Sequence, residues 1–146
     1  MKSELPQLKD FCEYEILYPD EKKAVDHFLG KSLDDAKNLF SENDLYYADD
    51  LRWMGEKAFQ YYLPAFIDFI MSDNVNISSD SLNNLVSLLR SKIENEMSTI
   101  KACKLFLLES LVYCVQNYSK FEVDTKIYGD LKRELLDIMK IIKSLE

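Results

Sequence analysis

From position 56 onward the apolar residues recur at Ala58, Phe59, Tyr62, Leu63, Phe66, Ile67, Ile70 and Met71. This i, i+3, i+4 spacing predicts a helix over 56–72 that buries one broad face. Pro64 falls inside it. A proline removes an amide donor and crowds the carbonyl four residues back, so a kink or restart is expected there. Adjacent helical positions diverge by about 100°, so of Tyr61 and Tyr62 only one can face the core squarely.

The remaining elements follow from the same periodicity. Leu5, Leu8, Phe11 and Cys12 suggest a short helix, while 14–18 could be extended, and Pro19 ends either. Asp20 and Glu21 open a helix with Ala24, Val25, Phe28 and Leu29 inward, closed by Gly30. Ser32 with Asp35 forms a capping-box pattern. The helix it starts uses Leu33, Ala36, Leu39 and Phe40 and frays near Asn43. Residues 46–54 form a further short turn of helix, with Gly55 as a break, and 73–79 is a polar loop. Ser79 or Asp80 caps the next helix, whose face is Leu82, Leu85, Val86, Leu89 and Ile93.

After a break near Ser98, Ile100, Cys103, Phe106, Leu107, Leu108, Leu111, Val112, Cys114 and Val115 surround most of the circumference of 99–115. A helix apolar nearly all round is buried by its neighbours, so this segment is expected to be the central helix. A loop at 117–123 precedes a last helix, capped by Asp124 and faced by Ile127, Leu131, Leu135, Ile138, Ile142 and Leu145. The expectation is an all-α bundle of six or seven helices forming one domain over 1–146. Only 3 glycines and 3 prolines, too few for many hairpins, point the same way.

Composition fits a globular chain, with 47% hydrophobic and 30% charged residues. The amino-terminal residues contain no apolar core of signal-peptide type, and no apolar run reaches the roughly 20 residues that span a bilayer. A cytoplasmic protein is therefore expected. Three cysteines, an odd number, argue against a disulfide framework. Cys103 and Cys114 read as buried thiols on one helix face, and Cys12 as the more exposed one.

Charge changes the picture most. Residues 1–75 carry 16 acids against 8 bases, and residues 76–146 carry 10 against 10, so the formal −8 lies entirely in the first half. Between 34 and 56 seven acids face only Lys37 and Arg52. Direct binding of nucleic acid or an anionic membrane is disfavoured, because phosphate binding needs Lys and Arg stripes. A basic protein partner is compatible.

Catalytic patterns are sparse. His27 is the single histidine, and a Cys12–His27 dyad would depend on the fold to position it. No CxxC, HxxxH, HExxH or glycine-rich phosphate loop occurs, so no metal or cofactor is implied. Asp49, Asp50 and Glu56, or Asp68 with Asp73, read as a solvated acidic face before they read as an acid/base pair. Trp53, Tyr46 and Tyr47 are either core aromatics or an aromatic anchor in an acidic rim.

The run Asp50-Leu51-Arg52-Trp53-Met54-Gly55, followed by Ala58-Phe59-Gln60-Tyr61-Tyr62-Leu63-Pro64, resembles a group of small bacterial helical proteins sharing Ala-Phe-x-Tyr-Tyr-Leu-Pro. That resemblance covers about residues 28–72 and supplies no catalytic residue. In character rather than motif the chain is also similar to immunity proteins of contact-dependent growth inhibition systems, small acidic proteins that inactivate a toxin domain by binding it. The resemblance implies a non-enzymatic protein that inactivates a toxin domain by binding it, and the acidic charge points to a basic, phosphate-holding nuclease domain as the partner. The contact is expected on Asp34, Asp35, Glu42, Asp44, Tyr46, Tyr47, Asp49 and Asp50. A rival expectation is an enzyme or regulator using 46–56 as a small-molecule pocket.

Overall fold

A computed structural model describes residues 4–12, 17–74 and 76–146. Among these the fold is all-α, with no strand. Most of the extended reading at 14–18 lies outside the described residues. The chain groups into two compact units, 1–69 and 70–146.

In the first unit α1 (Leu8–Phe11) is followed by α2 (Pro19–Phe28), which begins with proline at its first turn, where no amide partner is lost. Gly30 takes φ +81°, a conformation glycine adopts without steric cost, and turns the chain into α3 (Leu33–Arg52). The capping box forms as expected: Asp35 N–H donates to Ser32 Oγ at 3.1 Å, and Ser32 N–H to Asp35 Oδ2 at 3.2 Å.

The expected fraying near Asn43 is a sharp kink. Asn43 has φ −159° and ψ 86°, so α3 is two helical segments joined there. Its side-chain oxygen accepts from Tyr46 N–H at 3.1 Å and caps the second segment. The helix closes at Trp53, which is 40% exposed and whose backbone N–H donates to Asp50 O at 3.1 Å.

Gly55 separates α3 from α4 (Glu56–Met71) by close approach. Its N–H donates to Phe11 O at 2.8 Å, and an added Cβ would lie 2.6 Å from Asp10 O. No restart occurs at Pro64: α4 runs through it. The α4 stripe buries Ala58, Phe59, Tyr62, Leu63, Phe66 and Ile67. Phe28 stacks at 5.6 Å from Phe40 and 5.1 Å from Tyr62. Of the tyrosine pair, Tyr62 is the buried member, and its hydroxyl is 2.7 Å from both Phe28 O and Lys31 O. The one phenol proton is thus shared between two carbonyls of the turn that ends α2, of which Phe28 O also accepts from Lys31 N–H at 2.9 Å. Burial, and after it the neighbouring Tyr61, push its phenol up to about 12, against the hydrogen bond to Lys31 O, which lowers it.

In the second unit α5 (Ser79–Asn95) buries Leu82, Leu85, Val86 and Leu89, as the stripe predicts, and packs against α6 (Met97–Ala102) and α9 (Leu131–Lys143). The segment 99–115 is not one continuous buried helix. It breaks at Cys103 between α6 and α7 (Lys104–Gln116), and Leu105 is 76% exposed. Only one face of α7, with Leu107, Leu111 and Cys114, is buried.

The expected loop at 117–123 contains a 3-10 turn (Tyr118–Phe121) that buries Phe121. Asp124 caps only α8 (Thr125–Tyr128). Gly129 at φ +69° breaks the chain, and Asp130 caps α9 by accepting from Arg133 N–H at 3.1 Å. Ile127, expected in the last stripe, is 69% exposed for that reason. No helix among the described residues is long and apolar enough to cross a membrane.

Candidate functional site

Lys23 and His27 stand four residues apart on α2, hence on one face. The second segment of α3 packs on that face and brings Tyr46, Tyr47 and Asp50 to it. His27 Nδ1 lies 2.6 Å from Asp50 Oδ2. An ionised carboxylate only accepts, so Nδ1–H donates. Lys23 Nζ is 3.6 Å from the other oxygen, Asp50 Oδ1, which has no hydrogen-bond partner among the described residues.

Asp50 is fully buried, whereas the side chains of His27 and Lys23 keep 23% and 30% of their exposure. Burial pushes the Asp50 carboxyl up, while His27 and Lys23 pull it back and Asp49 adds to the rise. The pair is therefore a charge held below the surface by two partly exposed bases.

The aromatic side of the cluster is equally fixed. His27 packs at 5.3 Å from Tyr46 and 5.1 Å from Tyr47, edge-on to the latter. Tyr46 and Tyr47 meet edge-on at 5.0 Å, and Tyr47 reaches the Phe28 ring of the core at 6.4 Å. Lys23 Nζ sits 4.3 Å from the Tyr46 ring centroid, a cation–π distance. Burial raises the Tyr47 phenol, with Glu42 the next cause.

The eight expected contact residues divide. Tyr46 (45% exposed) and Glu42 are at the surface, and Tyr47 and Asp49 are half-buried, Asp49 lying 3.9 Å from Arg52. Asp34 and Asp35 are exposed at the far end of α3, before the kink, and Asp35 is engaged in the cap. Asp44 and Asp50 are buried, and neither side chain stands on the open surface. Asp44 stands first in the segment capped by Asn43, where the helix dipole favours an acid.

Sequence reasoning missed His27 and Lys23 as members of this site. Their i, i+4 spacing opposite an acidic stretch was the available signal. The Cys12–His27 dyad does not form: His27 is committed to Asp50, and the buried Cys12 thiol points to Leu8 O at 3.7 Å with its pKa raised by burial. Among the described residues no group of His, Cys, Asp and Glu is placed to hold a metal ion.

No protein-family model matches the chain, and neither the curated proteins nor the solved structures searched contain a match to it.

Proposed function

We propose that this chain is an acidic binding protein that neutralises a basic partner, in particular an immunity protein that occupies the phosphate-holding cleft of a nuclease toxin. The observation that carries the reading is Tyr46, a ring 45% exposed and pinned by Lys23, His27 and Tyr47. It lies in the unit that holds most of the net charge. A side chain already fixed loses little rotamer freedom on binding, and a rigid aromatic within a polar rim is the make-up of an interface hot spot. Nuclease clefts are basic because they hold phosphate, and an acidic surface steers toward them quickly.

Affinity capture from the native host, followed by mass spectrometry and assay of the captured protein, tests this. The expected partner is basic, and its nuclease activity falls to background at one-to-one addition of the chain. A captured nuclease that stays active at saturation removes the inhibitor reading, and recovery of no basic partner removes the whole proposal.

A second reading, an enzyme or regulator with a small-molecule pocket at 46–56, draws on the His27–Asp50 pair. An imidazole held at Nδ1 presents Nε2 as a base. Turnover by the purified chain that disappears in His27→Gln would favour this reading instead.

A further inference from the structure

The geometry points to a cation subsite between the Tyr46 ring and the buried Asp50 carboxylate, filled in the free protein by Lys23 and taken over by an arginine side chain of the partner. This deepens the proposed function and rests on it for the source of the arginine. The subsite itself stands on two separate observations. Asp50 Oδ1 is buried without a hydrogen bond, and the nearest cation, Lys23 Nζ, stops 3.6 Å away. That same Nζ lies 4.3 Å from the ring of Tyr46, which is itself half-exposed. A carboxylate and an aromatic face on two sides of one ammonium form the environment that selects a cation.

Lys23 is suited to being displaced. Its side chain remains 30% exposed, its flexible stem can swing outward, and among the described residues its ammonium makes an ion pair at 3.6 Å without a closer bond. A guanidinium is planar, more weakly hydrated than an ammonium, and can stack on the ring while donating to the free oxygen. His27 occupies Oδ2 at 2.6 Å, so only Oδ1 is open to an incoming donor. The neighbouring acids Glu42 and Asp49 keep the approach negative.

The test uses purified chain and a short blocked peptide, acetyl-Gly-Arg-Gly-amide, followed by the ring resonances of Tyr46, Tyr47 and His27 in solution NMR. Lys23→Ala vacates the subsite, and its amide spectrum checks the fold; Lys23→Ser is the second choice. Saturable shifts are expected in Lys23→Ala, with affinity roughly tenfold above that of the wild-type chain, in which Lys23 competes. The shifts are expected to vanish with the isosteric neutral citrulline peptide and in Lys23→Ala/Asp50→Asn.

Lys23→Ala/Tyr46→Ser repeats the control should Asp50→Asn disturb the fold. No saturable shift in Lys23→Ala, equal affinity in the wild type, or equal response to citrulline each overturns the subsite. The peptide needs no natural partner. Failure here therefore leaves the binding-protein reading standing, and a failed capture leaves the subsite standing.

Discussion

Asp50 reads in the sequence as one more acid in a solvated run, yet it is fully buried and its partner is 23 residues away on another helix. No local pattern carries that, because burial of a charge is decided by what the fold brings to it. The adjacent-tyrosine argument, by contrast, needed only helix geometry and holds, with Tyr62 inside. Two outcomes test the pair. His27→Ala leaves the carboxylate buried with only Lys23 nearby and should cost about 3 kcal/mol in denaturant titration at neutral pH.

Asp50→Asn keeps a hydrogen-bond acceptor for Nδ1–H and removes the buried charge, so at neutral pH it should change stability by about 1 kcal/mol or less. Acid should separate that variant from the wild type. The folded-state pKa of Asp50 is raised, so its contribution is fully present below the unfolded carboxylate pKa and is lost as pH rises through the folded value. The wild-type advantage over Asp50→Asn should therefore grow as pH falls across that window. An advantage that shrinks on acidification would contradict the assignment.

At the scale of elements the stripes of α4, α5 and α9 were legible because each is a long amphipathic face. The interruptions were only half legible. Pro64 starts no new helix, whereas Asn43 divides α3 and caps its second segment with its own side chain. The segment 99–115 was read as wholly buried because apolar residues surround it, but the chain turns at Cys103 and leaves Leu105 outside.

Gly55 is legible as a break, but its reason is a tertiary approach that no local pattern carries. The α1 backbone lies where its Cβ would be. Gly55→Ala must push that backbone away and should lower stability by about 1–3 kcal/mol, measured by thermal or urea unfolding. Asn43→Ala should cost about 1 kcal/mol as a lost cap, with the loss of α3 helicity visible in amide exchange.

For the molecule as a whole, helical class and charge distribution are both readable from the order of residues along the chain. Residues 1–69 carry 15 acids and 8 bases, and residues 70–146 carry 11 and 10, so the asymmetry follows the two units closely. Which acids act at the surface was not readable, since Asp44 and Asp50 are inside. The substitutions that test steering are therefore Glu42→Gln with Asp49→Asn, both at or near the surface. With a basic partner in hand, this double variant should associate more slowly and with a flatter salt dependence while dissociation changes little, because rim charges act mainly on the on-rate. Unchanged association in stopped-flow mixing would place the contact on another face.

Trp53 ends α3 three residues beyond Asp50, to whose carbonyl its backbone is tied, and the residue is 40% exposed. It is the sole tryptophan of the chain. The protein thus carries its own fluorophore at the edge of the proposed contact face. Indole emission selected away from the nine tyrosines should lose accessibility to a soluble quencher when a partner covers that face. The same signal follows opening of the first unit without any attached label.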